Sequence, residues 1–356
     1  MKFEFLIISP HKDKILDPNY PETTPLGGSE TAALKMIDFL RELGHEVKII
    51  TEGDQVKSNT CDIFIALRAW GTLVRGIHPG KLNYLWCQDD ANQPFFKNLA
   101  DEPAIAAELW RNCDAVFMIS HYQFQEWNKK LGLSHEKVFL TQNGITLKNF
   151  QISPNGLAHR PPRAYYASTP FRGLNILLEV WPLVQSLVPD AELDIMSSMG
   201  TYHEHDKDAP FQILYDRARS MPGVRYKPGV GQAELRAIAR ECRVLAYPST
   251  FAETGCIAAM EAMASGCAVV STVYGALPET AWRNPLIPIQ GDWMKTWAWE
   301  VARLLVDDDY YEDLARQNLA IAQWMDWDLI GQRWIRQFIL DFSKKSIRVS
   351  PDLCYV

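Results

Sequence analysis

Short runs of apolar, often β-branched residues alternate along the chain with stretches whose apolar positions recur every three or four residues. That alternation predicts βαβ units built around parallel sheets. In the first half, strands are predicted at Phe3–Ile8, Glu46–Thr51, Asp62–Leu67, Leu82–Cys87, Ala115–Ile119 and Lys137–Thr141. Between the first two, Ala33, Met36, Ile37, Leu40 and Leu43 share one helical face, with Ser29 placed to cap its start and Gly44 to end it. Further helices are predicted near Pro103–Asn112 and His121–Leu131.

Residues 151–163, with Pro154, Asn155, Gly156, Pro161 and Pro162, have the composition of a linker. The alternation then resumes, with strands predicted at Ala164–Ala167, Glu192–Met196, Val224–Tyr226, Val244–Tyr247 and Ala268–Thr272. Helices are predicted near Leu174–Leu187, Phe211–Ser220, Gln232–Arg240 and Ile257–Ser265, and only helical patterns follow Asp292, ending near Leu329–Phe342. The expected fold class is therefore α/β: a doubly wound domain over 1–150, a linker over 151–163, a second doubly wound domain over 164–328, and a terminal helix over 329–356. Such pairs bind ligands in the crevice beyond the carboxyl ends of their strands. No short repeat or low-complexity tract interrupts the pattern.

Composition narrows the function. The chain has 356 residues, 47% hydrophobic and 22% charged, enough for two cores. Its 36 basic and 43 acidic residues leave a formal charge of −7, without any run of five Lys/Arg, which argues against a nucleic-acid partner. None of the 7 cysteines (61, 87, 113, 242, 256, 267 and 354) forms a Cys-x-x-Cys pair, so packed, reduced thiols are expected. The opening Met1-Lys2-Phe3-Glu4 carries an acid, and the apolar run Phe5–Ile8 is too short for a signal peptide. No stretch reaches the ~18 apolar residues of a transmembrane span. A cytoplasmic chain is expected.

The segment Tyr247–Cys267 reads strand, loop, helix, with Gly266 as the helix stop. Thr254, Gly255, Cys256 and Ile257 stand where loop becomes helix, and backbone amides there are unpaired and lie at the positive end of the helix dipole. A phosphate fits such an end without a side-chain cation. Glu253 precedes the helix, and Glu261 lies about two turns inside it, among Ala258, Ala259, Met260, Ala262 and Met263. A buried carboxylate needs donors, and ribose or sugar hydroxyls would serve. From spacing alone, a polyol-phosphate site and a structural buried glutamate both remain open.

The pair Glu253-x7-Glu261, followed by Ala262-Met263-Ala264-Ser265-Gly266-Cys267, resembles the retaining glycosyltransferases of family 4, which have the GT-B fold. The resemblance extends to Gly27-Gly28-Ser29-Glu30, Asn143-Gly144-Ile145, Arg172-Gly173-Leu174, Val224–Gly229, Tyr247-Pro248-Ser249 and Gly275–Glu279, in the family's order. It implies two Rossmann-like domains facing across a cleft, an N-terminal acceptor domain and a C-terminal donor domain, with the last helix returning to the first.

Residue by residue, the resemblance implies that Glu253 contacts donor-sugar hydroxyls and Glu261 the nucleotide ribose. Gly255, Cys256 and Ile257, with Thr254 and Ser249 beside them, would hold the diphosphate, and Gly27 and Gly28 would approach it from the opposite side. Arg172 matches a cationic position that offsets charge on the departing phosphate, while the earlier Arg common in the family has no equivalent beyond Ser168 or Thr169. On the acceptor side Gln88 stands where many members carry His, followed by Asp89, and His121 is a second acceptor candidate. Glu253, Asp89 and Arg172 are thus the expected catalytic residues.

The implied reaction is front-face transfer from a nucleotide-diphosphate sugar, UDP favoured, to a saccharide, lipid-linked or small-molecule hydroxyl, without metal or cofactor. His203-Glu204-His205-Asp206 sits in a polar loop without a helical register and is not expected to bind metal. The missing Arg and Gln88 leave an alternative: a catalytically weak, nucleotide-sugar-binding partner subunit. A dehydrogenase is not expected, because no Gly-x-Gly-x-x-Gly follows the first strand. The chain has 12 tryptophans, and Trp293, Trp297, Trp299, Trp324, Trp327 and Trp334 in the last helices are expected to serve packing.

Overall fold

The computed structural model describes residues 1–8, 20–51, 54–150, 152, 156–157, 160–202 and 205–348. The chain divides into two units. The first comprises Met1–Leu16, Ala32–Asn143 and Trp327–Val356, and the second Asp17–Thr31 and Gly144–Asp326. The division thus falls at Asn143/Gly144 rather than beyond residue 150. A stretch of the N-terminal third, ahead of Ala32, belongs with the second unit. Within the expected linker, Leu157 and Arg160 are buried.

The first unit holds strands β1 (Lys2–Ile7), β2 (Glu46–Thr51), β3 (Cys61–Leu67), β4 (Gly80–Trp86), β5 (Ala115–Met118) and β6 (Val138–Leu140). They form one sheet in the order β2-β1-β3-β4-β5-β6, every pair parallel. A parallel sheet is covered on both faces, so its central strands read as continuous apolar runs. Ile63–Leu67 of β3 and Tyr84–Trp86 of β4 are accordingly all buried.

The helix Gly28–Glu42 packs Ala33, Met36, Ile37 and Leu40 inward. Ser29 lies within this helix, not at its cap, and Leu43, just past its end, is exposed. The helix Trp327–Arg348 is longer than the predicted 329–342. It lays Trp334 and Phe338 on β1, β4 and β5: Trp334 meets the rings of Trp86 and Phe117 edge-on, each at 4.7 Å, and Phe338 lies 5.7 Å from Phe3. Trp334 Nε1 donates to Thr141 Oγ1 at 2.7 Å.

The second unit holds β7 (Arg163–Ala167), β8 (Glu192–Met196), β9 (Val224–Lys227), β10 (Val244–Ala246), β11 (Ala268–Thr272) and β12 (Leu286–Ile287). Their order is β12-β11-β10-β7-β8-β9, again all parallel. Strand order reverses between β7 and β10, so the loops leaving these two strands start side by side. That is the topological switch point at which doubly wound sheets bind ligands.

Cys61, Cys87, Cys113, Cys242, Cys256 and Cys267 are buried, unpaired thiols, and Cys354 lies outside the described residues. Of the C-terminal tryptophans, Trp297, Trp327 and Trp334 are buried. Trp299 and Trp324 are exposed at 52% and 75%, which corrects the packing role expected of them. No helix among the described residues is long and apolar enough to cross a membrane.

Candidate active site

The loop after β7 turns through a 3-10 segment, Pro170–Arg172, into the helix Leu174–Leu187. The loop after β10 runs from Tyr247 to Cys256 before the helix Ile257–Ala264. Because the two loops leave neighbouring strands, residues 81 apart in sequence meet: Arg172 Nη1 donates to Glu253 Oε1 at 2.8 Å and to Oε2 at 3.0 Å. The Tyr247 hydroxyl donates to the same Oε1. Burial, then the Glu253 charge, pushes the Tyr247 phenol well up, so it stays protonated and remains a donor. The Arg172 guanidinium lies 4.3 Å from the Phe251 ring centre and 5.5 Å from that of Phe171. This aromatic bracket fixes the plane of the cation and limits its hydration.

The backbone of Glu253 is held as firmly as its side chain. Its amide donates to Phe251 O at 2.9 Å, and its carbonyl accepts from Ala276 N at 2.6 Å. That approach depends on Gly275, at φ +61°, where a Cβ would lie 2.5 Å from both Glu253 N and O. The residue that positions Glu253 therefore comes from the Gly275–Glu279 motif.

Cys256 is the N-cap of the Ile257–Ala264 helix, in extended conformation and without a side-chain cap. Among the described residues no hydrogen bond engages the backbone amides of Gly255, Cys256 and Ile257. Three donors are thus left at the positive end of a helix that begins four residues after Glu253. Gly28 reaches the same helix start, where a Cβ on it would stand 3.2 Å from Ile257 Cδ1. Gly27 beside it is buried, and its carbonyl accepts from Thr31 N at 3.0 Å. Thr254 is partly buried in the same loop. Ser249 is fully buried, and its hydroxyl closes its own turn, accepting from Phe251 N at 3.2 Å. Its hydroxyl is thus engaged within the loop.

Glu261 is partly buried one face along the helix. Its carboxyl is pushed up to about 7 by desolvation, with Arg236 pulling it down, Glu22 pushing it up, and a hydrogen bond from the Gln232 side chain also lowering it.

The acceptor candidates lie in the first unit, Gln88 and Asp89 just past the carboxyl end of β4 and His121 at the start of the helix after β5. Gln88 is buried and forms a reciprocal amide pair with Asn143: Gln88 Nε2 donates to Asn143 Oδ1 at 2.9 Å, and Asn143 Nδ2 donates to Gln88 Oε1 at 2.8 Å. Asp89 is gripped by Arg68, through Nε to Oδ2 and through Nη2 to Oδ1 at 3.1 Å. Its carbonyl accepts from Gln123 Nε2 and Trp127 Nε1, each at 3.0 Å. Arg68 itself stands at φ +61°, a left-handed conformation that aims it at the strand end. Asp90 Oδ1 accepts from Asn92, while its buried Oδ2 has no partner among the described residues. His121 opens its helix exposed, directly after the capping Ser120.

The second unit thus brings together Gly28, Arg172, Glu253, Gly255, Cys256 and Ile257. Sequence reasoning did not single out Tyr247, Phe251, Gly275 and Arg68, which brace the candidate residues. Tyr247 and Gly275 stood inside recognised motifs, whereas Phe251 and Arg68 carried no local signal. No group of three His, Cys, Asp or Glu among the described residues could hold a metal ion, and His203 and Glu204 lie outside those residues.

Residues 164–307 match the family model described as Glycosyl transferases group 1. No curated protein matches the chain. Among solved structures, Anabaena HepE in complex with UDP and glucose is similar at TM-score 0.70 and 18% identity, covering 95% of this chain and 99% of that one. Sucrose-phosphate synthase from Thermosynechococcus elongatus is similar at 0.71 and 14%, covering 97% and 100%. WaaG, a glycosyltransferase involved in lipopolysaccharide biosynthesis, is similar at 0.63 and 13%, covering 93% and 98%. The fold is GT-B: two Rossmann-like units, each on a parallel sheet of six strands.

Proposed function

We propose that the chain is a retaining glycosyltransferase of family 4 that moves a sugar from a nucleotide diphosphate, UDP favoured, to a hydroxyl acceptor. The observation that carries the reading is the joint placement of Glu253 and three unengaged amides at one helix start. A diphosphate takes the amides of Gly255, Cys256 and Ile257, and the Glu253 carboxylate accepts hydroxyls of the sugar attached to it. Glu261, farther along the same helix, accepts from the ribose. The match of residues 164–307 to a glycosyltransferase family model and the UDP bound by HepE support the donor class.

In this scheme the protein positions and stabilises; it supplies no nucleophile. As the glycosidic bond breaks, electrons pass to the departing phosphate oxygen, and the acceptor hydroxyl attacks the same face of the oxocarbenium-like sugar. The leaving phosphate takes its proton. Arg172 offsets the growing negative charge, and its anchorage to Glu253 means it reorganises little during the reaction. The scheme asks for protein donors and cations, not for a metal. The acceptor is a saccharide, lipid-linked or small-molecule hydroxyl, with its polar contacts assigned to the Asp89–Asp90 end of β4 and to His121.

One observation favours a second reading, a nucleotide-sugar-binding subunit of low activity: Gln88, at the position where many members carry His, is closed off by Asn143. Purified chain is screened by thermal shift against a panel of nucleotide sugars, since a ligand at 100 times its Kd adds about 2.7 kcal/mol. The best donor is then assayed for hydrolysis and transfer. Turnover lost in Glu253→Gln supports the transferase, binding without turnover toward any acceptor supports the subunit, and the absence of nucleotide-sugar binding overturns both.

A further inference from the structure

We propose that Tyr247, backed by Ser168, is a positioning residue for Glu253: it fills Oε1 and leaves Oε2 as the oxygen that meets the transferred sugar. This role rests on the donor reading of Glu253 given above. Tyr247 directly follows β10, and β10 pairs with β7, the strand that carries Tyr166. Both tyrosines are buried, at 0% exposure for Tyr166 and 1% for Tyr247, and their rings lie 5.7 Å apart at 44°. Packed in this way, neither ring can swing its hydroxyl away from the strand ends without disturbing the other.

Each phenol reaches into one of the two loops that leave these strands. Tyr166 donates to Thr169 O at 2.8 Å, and the same carbonyl accepts from Arg172 N at 3.2 Å. Tyr247 donates instead to a side chain, Glu253 Oε1. The Tyr247 oxygen also lies 3.4 Å from Oγ of Ser168, which is partly buried. A phenol has one proton, and this one goes to Glu253, so Ser168 is the donor in the second contact.

The consequence is a difference between the two oxygens of one carboxylate. Each can accept about two hydrogen bonds. Oε1 takes Arg172 Nη1 at 2.8 Å and the Tyr247 hydroxyl, and is filled. Oε2 takes Arg172 Nη1 at 3.0 Å and no other donor among the described residues. The position left open is on Oε2, and a sugar hydroxyl is a donor that fits it. Without the phenol Oε1 regains an open position, and the sugar is no longer directed to one oxygen.

The test is calorimetry on the full chain with UDP and with UDP-glucose, UDP-galactose and UDP-N-acetylglucosamine. The ratio of nucleotide-sugar affinity to UDP affinity isolates the sugar contact and cancels whatever acts on the whole site. Tyr247→Phe is expected to lower this ratio about tenfold for the best-bound nucleotide sugar, as loss of one hydrogen bond to a charged group requires. Ser168→Ala moves the ratio the same way by less, and it supplies the test where Tyr247→Phe does not fold. Tyr166→Phe is the control, because it removes an equally buried hydroxyl that does not touch Glu253, and it keeps the ratio. In a Glu253→Gln background Tyr247→Phe lowers the ratio no further.

An unchanged ratio in Tyr247→Phe overturns the proposal, and so does an equal fall in Tyr166→Phe, which marks a structural effect common to both tyrosines. Failure of the donor reading looks different. Either none of the three nucleotide sugars binds, or Glu253→Gln itself leaves the ratio unchanged, and each of these overturns the sugar assignment and the positioning role together.

Discussion

Arg172 and Glu253 are joined through a single guanidinium nitrogen that donates to both carboxylate oxygens, at 2.8 and 3.0 Å, with the Glu253 side chain only 5% exposed. A charge so deeply placed is tolerable only with its partner. Removing one member of a buried pair costs about 3–5 kcal/mol, because the other is left uncompensated. Arg172→Ala is therefore expected to lower the urea midpoint strongly, whereas Arg172→Ala combined with Glu253→Gln loses markedly less than the sum of the two single variants. Additive losses in this double-mutant cycle would mean that the ion pair contributes nothing to stability.

Gly275 gives a prediction about activity rather than about charge. At φ +61°, with space for a Cβ closed by the Glu253 backbone at 2.5 Å, Gly275→Ala must push the Glu253 loop aside. Gly291 supplies the control, because its φ is +56° and nothing lies within 4 Å of its Cβ position. Both substitutions carry the strain of a left-handed residue, about 1–2 kcal/mol. Only Gly275→Ala is expected to abolish donor turnover, with Gly291→Ala retaining it at a temperature where both are folded. Equal activities would show that the Gly275 contact does not position Glu253.

Much of this fold was legible in the chain because parallel strands are buried on both faces and read as unbroken apolar runs. Glu192–Met196 and Ala268–Thr272 were bounded correctly for that reason, whereas Glu46–Thr51, a partly exposed edge strand, was marked by its β-branched Val47, Ile49, Ile50 and Thr51. β12, two residues long, offers no such run and passed unnoticed. The acids Glu253 and Glu261 stood out by flanking a helix start. What local pattern cannot encode is a contact made by a distant partner: Arg236 with Glu22, Arg68 with Asp89, Asn143 with Gln88. The same reason hid the membership of Tyr20–Thr23 in the second unit, since its register on the Gln232–Glu241 helix is set by a glycine some 200 residues away.

The Gln88–Asn143 pair predicts an asymmetric mutational cost. Each amide satisfies the donor and the acceptor of the other in a buried setting. Gln88→Leu leaves the Asn143 oxygen and nitrogen unpaired, a penalty of about 1–3 kcal/mol. Removing both polar groups in Gln88→Leu with Asn143→Leu is expected to cost less than Gln88→Leu alone. Urea unfolding with an unchanged m-value reads the difference. A double variant less stable than the single would mean that the pair contributes through packing rather than through its hydrogen bonds.

The Glu261 carboxyl, at about 7 in the folded chain against an ordinary 4.5, makes stability depend on pH in a defined direction. The folded state holds this proton more tightly than the unfolded state, so between about 4.5 and 7 it binds more of it, and stability falls as pH rises through that window. Below the window both states are protonated and no penalty exists; above it the full cost of ionising a desolvated acid is present. A shift of this size corresponds to at most about 3 kcal/mol, and partial exposure reduces it to about 1–2 kcal/mol. Glu261→Gln keeps a neutral group at every pH and removes this slope. Its stability relative to the unsubstituted chain is therefore expected to be about 1–2 kcal/mol more favourable at pH 7.5 than at pH 5. Urea melts of both proteins at the two pH values measure it, and a difference that does not change with pH would show that Glu261 ionises as readily folded as unfolded.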